Sequence, residues 1–172
     1  MIATSSTIIT KPSLRERTCC FTGHRLIPSR DSEQIISRLE QTVLALYQRG
    51  VRYYGAGGAL GFDTIAADTI LRLRETHQGL KLILVLPCET QTAKWKNASD
   101  IEHYNQIIDQ ADKVKYISHE YTSTCMHERN RHLVDNSSVC ICYQTRPSGG
   151  TAYTVKYAQQ SGLQVINLAE QH

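Results

Sequence analysis

No stretch of this chain stays apolar for the roughly 20 residues that a membrane-spanning helix needs, so no membrane crossing is expected. Residues 1–17 lack the apolar core of a secretory signal. They are rich in Ser and Thr and carry Lys11, Arg15 and Arg17; this reads as a loose polar tail, with a transit peptide as the alternative. None of the six cysteines stands in a C-x-x-C pair, and no His/Cys spacing resembles a zinc motif, so no metal site is expected. Several cysteines lie inside apolar runs, where a thiol behaves as a small hydrophobe; reduced thiols point to the cytoplasm. A strong charge is also missing. The formal charge of +3 falls short of a dedicated nucleic-acid binder, so nucleic acid is not an expected partner, although the balance favours the approach of anionic ligands. Neither the Gly-Lys-Ser/Thr ending of a Walker loop nor a G-x-G-x-x-G turn occurs, which disfavours nucleotide hydrolysis of the usual kind and NAD-dependent hydride transfer.

What is present is the composition of one globular domain. The 172 residues are 41% hydrophobic and 20% charged, enough to bury a core without staples. Following the tail at 1–17, we expect a single domain over 18–172. Apolar runs rich in β-formers at 18–21, 51–54, 80–86, 114–117, 139–143 and 164–168 read as strands. Between them, helical spacing predicts helices from Asp31 or Ser32 to about 49, around 65–73, from a Ser99 or Asp100 cap to about 110, over 125–135, and over 151–160. Residues 80–86 are apolar almost throughout, as a strand covered on both faces must be. Strands alternating with helices predict an α/β, Rossmann-like, doubly wound and mostly parallel sheet with helices on both faces. Right-handed crossovers then bring every strand's C-terminal end to one edge.

Ligands in such sheets bind beyond that edge. The exits expected there are Gly23-His24-Arg25, the turn from Gly57-Gly58 to Asp63, the segment from Glu89 to Lys94-Trp95, residues 119–130 with Arg129-Asn130, and the turn through Gly149-Gly150-Thr151. A glycine turn that opens a helix presents unpartnered backbone N–H groups and the positive end of the dipole, which suits phosphate. Several of these residues have a second reading. Arg25 suits a phosphate and a surface salt bridge equally, and Asp63 and Thr151 could each cap a helix. Trp95, with Lys94 beside it, could stack on a base or belong to the core. As acids or bases, Glu89, Asp63, Glu128, His24 and His127 are available, but spacing alone does not say which converge.

The ordered set Thr22-Gly23-His24-Arg25, Gly57-Gly58-Ala59-Leu60-Gly61-Phe62-Asp63, Gln91 with Lys94-Trp95, Arg129-Asn130 and Gly149-Gly150-Thr151-Ala152-Tyr153-Thr154 resembles the YpsA-like group of the SLOG superfamily. That superfamily has a Rossmann-like fold and includes DprA/Smf and the LOG enzymes. The resemblance implies a nucleotide or ADP-ribose-like ligand at the glycine turns and a tendency to form homo-oligomers. Residues 57–63 are similar to the DprA stretch. Met126-His127-Glu128-Arg129 followed by Gly149-Gly150-Thr151 is similar to LOG, whose arginine and glutamate are understood to cleave the N-glycosidic bond of a nucleoside monophosphate. This chain keeps Arg129 but has Asn130 for the LOG lysine, Ser148 for its proline, and no acid over 151–158. The expected function is therefore binding or sensing of a nucleotide-derived phosphate ligand, with LOG-like hydrolysis as the alternative and Arg129, Glu89 and Asp63 as its candidate catalytic residues. Single-stranded DNA binding, as in DprA, is the remaining reading.

Overall fold

The computed structural model describes residues 10–170; of the tail expected over 1–17, residues 1–9 lie outside that range. A 3-10 turn at Arg15–Arg17 leads into β1 (Thr18–Gly23). The chain then alternates α1 (Ser29–Gln48), β2 (Tyr53–Ala56), α2 (Phe62–Leu73), β3 (Lys81–Cys88), α3 (Ala98–Gln110), β4 (Lys113–Ser118), α4 (Cys125–Asp135), β5 (Val139–Tyr143), α5 (Gly150–Gln160) and β6 (Gln164–Asn167). The six strands form one sheet in the order β4-β3-β2-β1-β5-β6, and all five pairings are parallel. The expected α/β sheet is thus parallel throughout.

Alternation along β1 and β5 divides the core. Cys19, Phe21, Val139 and Ile141 face a layer with Leu39 and Val43 of α1, Phe62 and Ile70 of α2 and Ile107 of α3. Cys20, Cys140 and Cys142 face Leu133 and Val134 of α4 and Val155 and Ala158 of α5. Side chains in a strand point alternately to opposite faces, so the run Thr18-Cys19-Cys20-Phe21 supplies both layers.

Several boundaries differ from expectation, β2 by two residues at each end, and three of the differences have a clear local reason. β3 continues through Pro87, yet β4 pairs with Leu86 and Cys88 and skips the proline, which has no N–H to give the ladder. The α1 helix starts at Ser29 after Pro28, without a side-chain cap, so neither Asp31 nor Ser32 caps it; Asp31 lies in the first turn, where its charge suits the dipole. At α3 the cap is Asn97, whose Oδ1 accepts from the Ser99 amide at 2.9 Å, in place of Ser99 or Asp100.

Strand order fixes where a ligand crevice falls. From β1 the chain moves outward through β2, β3 and β4, then returns to the other side of β1 as β5. This reversal is the switch point, and the exits of β1 and β5 flank it, with Gly23 in register with Tyr143.

Candidate functional site

Three exits are tied together at the switch point. The Phe62 amide, first in α2, donates to the His24 carbonyl at 3.1 Å. Gly61 precedes it at φ 80, a conformation open chiefly to glycine; a Cβ there would also stand 2.3 Å from the Arg25 carbonyl oxygen. On the other side, the Thr145 amide donates to His24 Nε2 at 2.9 Å. That nitrogen must then be the unprotonated one. Burial lowers the His24 pKa below its ordinary value, and the nearby Arg146 lowers it further, so the neutral imidazole fits its acceptor role.

Arg129 is the buried centre. It is 5% exposed and donates through Nη1 to the Gly57 carbonyl and through Nε to Asn130 Oδ1 at 2.7 Å. Asp63, 7% exposed, accepts from the Ala59 amide at 3.3 Å. It braces the turn before its own helix and does not cap that helix. Burial raises the Asp63 pKa, while Arg129 and the amides of Ala59 and Gly57 pull it down, leaving it above the ordinary carboxylate value. Burial likewise lowers the Arg129 pKa against the raising influence of Asp63; guanidinium stays charged in proteins all the same.

The glycines fall into two groups. At Gly57 a Cβ would meet the Arg129 guanidinium at 2.4 Å, at Gly58 the Leu86 Cδ2 at 2.5 Å, and at Gly23 the Phe62 ring at 2.5 Å. Protein atoms fill the space beside these three. At Gly149 and Gly150 a Cβ would meet nothing within 4 Å. Gly149 precedes α5 at φ 97, and α5 has no side-chain cap. Thr151 therefore does not cap its own helix; the first amides of α5 open outward.

They open into a cavity of about 1100 Å³ at the sheet's C-terminal edge. Of the expected residues, Gly23, His24, Arg25, Asp63, Arg129, Asn130, Gly149, Gly150 and Thr151 line it. Gly57 and Gly58 stand behind, holding Arg129 and Leu86. Lys94 and Trp95 line an adjoining cavity of about 480 Å³ together with Arg25 and Leu60. Glu89 is not on the main cavity's wall; its Oε2 pairs with His119 Nδ1 at 2.8 Å. Glu128 is exposed on α4 and is also off that wall, whereas His127 lies on it, with its ring 4.8 Å from that of Tyr153. Three further charged residues line the cavity: Arg30, Asp31 and Arg146. Asp31 was expected only as a helix cap, and the sequence singled out neither Arg30 nor Arg146. Their positions around the β1–β5 switch are a property of strand order, and strand order has no local signal. Arg25 and Arg146 make no ion pair among the described residues. Nor, among those residues, do three His, Cys, Asp or Glu side chains gather as metal ligands.

A six-stranded parallel sheet with glycine turns and arginines around its switch-point crevice defines a Rossmann-like α/β protein. The YpsA family model, described as the YspA SLOG family, matches residues 28–168, and the chain belongs to that family. It is 29% identical over 124 residues to the UPF0398 protein BH1768 of Halalkalibacterium halodurans, a match covering 70% of this chain and 65% of that relative, just under two thirds of its length. Among solved structures it is similar to DNA processing protein A of Helicobacter pylori, described for its single-stranded DNA binding mode, with TM-score 0.61 and 18% identity over 86% of this chain and 63% of that one. DNA processing protein A of Streptococcus pneumoniae also superposes at TM-score 0.61, with 19% identity over 88% and 50% of the two chains. At such identities the likeness is one of fold alone. No helix among the described residues is long and apolar enough to cross a membrane.

Proposed function

We propose that this protein binds a nucleotide-type phosphate ligand in the crevice between the exits of β1 and β5. The observation that carries this reading is the uncapped start of α5, where Gly149 and Gly150 face open space in a cavity bordered by Arg25, Arg30, Arg129 and Arg146. Outward amides, a helix dipole and guanidinium groups all favour phosphate. Two carboxylates share that wall. Asp63 is buried and engaged by the Ala59 amide, and Asp31 lies 3.7 Å from the Arg30 guanidinium. Binding without turnover suits this set better than acid–base chemistry does.

Thermal-shift titration against nucleoside mono- and diphosphates, ADP-ribose and NAD tests the reading. A ligand at a hundredfold excess over its Kd stabilises by about 2.7 kcal/mol, roughly 5–10 °C for a chain of this length. Gly150→Asp places a negative charge where the phosphate would lie, yet an acidic residue in a first helical turn suits the dipole. The variant should fold as the parent does and show no shift. Absence of any shift with the parent chain across the panel sinks the reading.

One observation favours the alternative of N-glycosidic hydrolysis: Asp31 stands on the cavity wall, where the acid missing from 151–158 would be needed. Release of free base from a nucleoside monophosphate, abolished in Asp31→Asn, would establish it; intact substrate by chromatography would remove it. Homo-oligomerisation belongs to the same proposal and is read by sedimentation velocity.

A further inference from the structure

Beside the arginine-lined crevice lies a cavity of opposite character. It has a volume of about 340 Å³ and opens between α2 and α3, two helices of the same layer on the sheet. Leu60 and Asp63 line both spaces, so the turn before α2 is the partition between them. The floor of the smaller space is apolar, with Leu84 of β3, Ala67 of α2 and Ile107 of α3 all buried. Trp95 and Tyr104 add an aromatic corner, their rings edge to face with centroids 5.2 Å apart. That corner is braced. The Tyr104 hydroxyl donates to Gln91 Oε1 at 3.1 Å, and Gln91 Nε2 donates to the Gly57 carbonyl at 3.2 Å. Interiors leave few voids wider than a water molecule, and this one is held open by fixed side chains.

Charge selects the occupant. Asp63, Asp68 and Asp100 line the cavity and neither Lys nor Arg does, although the chain as a whole carries +3. The three carboxylates differ in what meets them. Arg129 answers the charge of Asp63. Asp68 receives His103, whose Nε2 stands 2.9 Å from each carboxylate oxygen. Asp100 makes no hydrogen bond or ion pair through its carboxylate among the described residues. A bare metal ion would need several gathered ligands, and no such group of three occurs among the described residues. Carboxylates beside an aromatic corner suit instead a cation that carries hydrocarbon, through charge-assisted hydrogen bonds and cation–π attraction together.

We propose that the space between α2 and α3 is a second binding site, for a small organic cation with an ammonium or guanidinium head on a short hydrocarbon body. The head pairs with Asp68 and Asp100, and the body lies along Ile107, Tyr104 and Trp95. Small-molecule pockets run from about 300 to 1,000 Å³, so this cavity stands near the lower end and suits a short amine better than a nucleotide. The site stands whether or not the crevice takes phosphate.

Agmatine, a guanidinium and an ammonium joined by a short alkyl chain, is the probe. It is titrated into the full chain by calorimetry, and the imidazole protons of His103, assigned with His103→Gln, are followed by NMR. Trp95 also lines the neighbouring cavity, whereas His103 lies on this wall and not on that of the crevice. Agmatine should bind at one site, shift His103 and leave His127, on the crevice wall, unmoved. Asp68→Asn and Asp100→Asn should each weaken it by about tenfold, the loss of one hydrogen bond to a charged group. Asp100 has no partner to lose, so that variant reads the site even where Asp68→Asn loosens α3. Asp31→Asn takes a carboxylate from the crevice wall and should leave agmatine binding unchanged. Magnesium or guanidinium ion binding as tightly as agmatine would mean attraction between charges without a site, and overturns the proposal. So does agmatine that binds with His103 unmoved, or that is lost in Asp31→Asn and kept in Asp100→Asn. Absence of heat from agmatine at millimolar concentration overturns it as well.

Discussion

Gly57 and Gly150 look alike in the sequence, each the start or end of an adjacent glycine pair between a strand and a helix, yet their surroundings are opposite. A methyl group at Gly57 would collide with the guanidinium of Arg129, while at Gly150 it would meet nothing within 4 Å. Gly57→Ala should therefore cost about 1–3 kcal/mol, as overpacking does, and Gly150→Ala should stay within about 0.5 kcal/mol. Urea unfolding of the two variants checks the pair, and equal losses would contradict the packing described. Arg129 itself offers a sharper case. Arg129→Met removes the charge that opposes the rise of the Asp63 pKa and takes one donor from the Gly57 carbonyl, a loss of about 1–3 kcal/mol. Burial already raises the Asp63 pKa and Arg129 opposes that rise, so the variant's Asp63 pKa moves higher still. A raised carboxyl contributes stability below its unfolded pKa and loses it as pH rises through the folded one. The destabilisation by Arg129→Met should accordingly be larger at pH 7.5 than at pH 5, and Asp63→Asn in that background should recover part of it. A pH-independent loss would show that Asp63 does not feel the arginine.

Among elements, connections matter more than helices and strands. The 139–143 strand reads directly from its apolar run and is β5 as observed, and α4 spans 125–135 as its spacing predicts. Helix starts were less legible, because several polar residues in a row can cap and only backbone geometry chooses. Asn97 wins at α3 through its bond to the Ser99 amide, and at α1 the chain turns on Pro28 with no side-chain cap at all. The tie between the β1–α1 loop and the β5–α5 turn was invisible in sequence, since His24 and Thr145 are 121 residues apart. That tie depends on a neutral imidazole. Burial and Arg146 depress the His24 pKa, so its contribution is complete above the unfolded value of about 6.5 and is lost as pH falls through the folded value. Between pH 7.5 and 5 the unfolding free energy of the parent should drop more than that of His24→Gln, which cannot titrate. Parallel pH profiles would mean that the Thr145 bond survives protonation or contributes nothing.

At the scale of the molecule, periodicity and alternation carried the fold: an α/β parallel sheet follows from runs such as 80–86 and from the helical segments between strands. Strand order did not follow, and with it went the place of Arg30, Asp31 and Arg146 on the cavity wall, because which strand neighbours β1 is decided by packing across the whole chain. Strand order also sets what the cysteines can report. Cys20 is in register with Cys140 across the β1–β5 pair, directly behind the proposed ligand crevice, and all six cysteines are free and buried. Burial holds the Cys19 thiol well above its ordinary pKa and pushes Cys142 up to about 12. A thiolate is the reactive form, so a chromogenic disulfide reagent should modify none of the six promptly in the native chain and all six in urea. Slow labelling of the native chain then measures opening of the sheet. A ligand that bridges the exits of β1 and β5 binds the closed form alone, and by linkage it lowers the open population by the factor 1 + [L]/Kd. The ligand that passes the thermal-shift test should therefore slow thiol labelling about elevenfold at ten times its Kd. Labelling at an unchanged rate under saturating ligand would place the binding site on a part of the chain that stays intact when the β1–β5 pair opens.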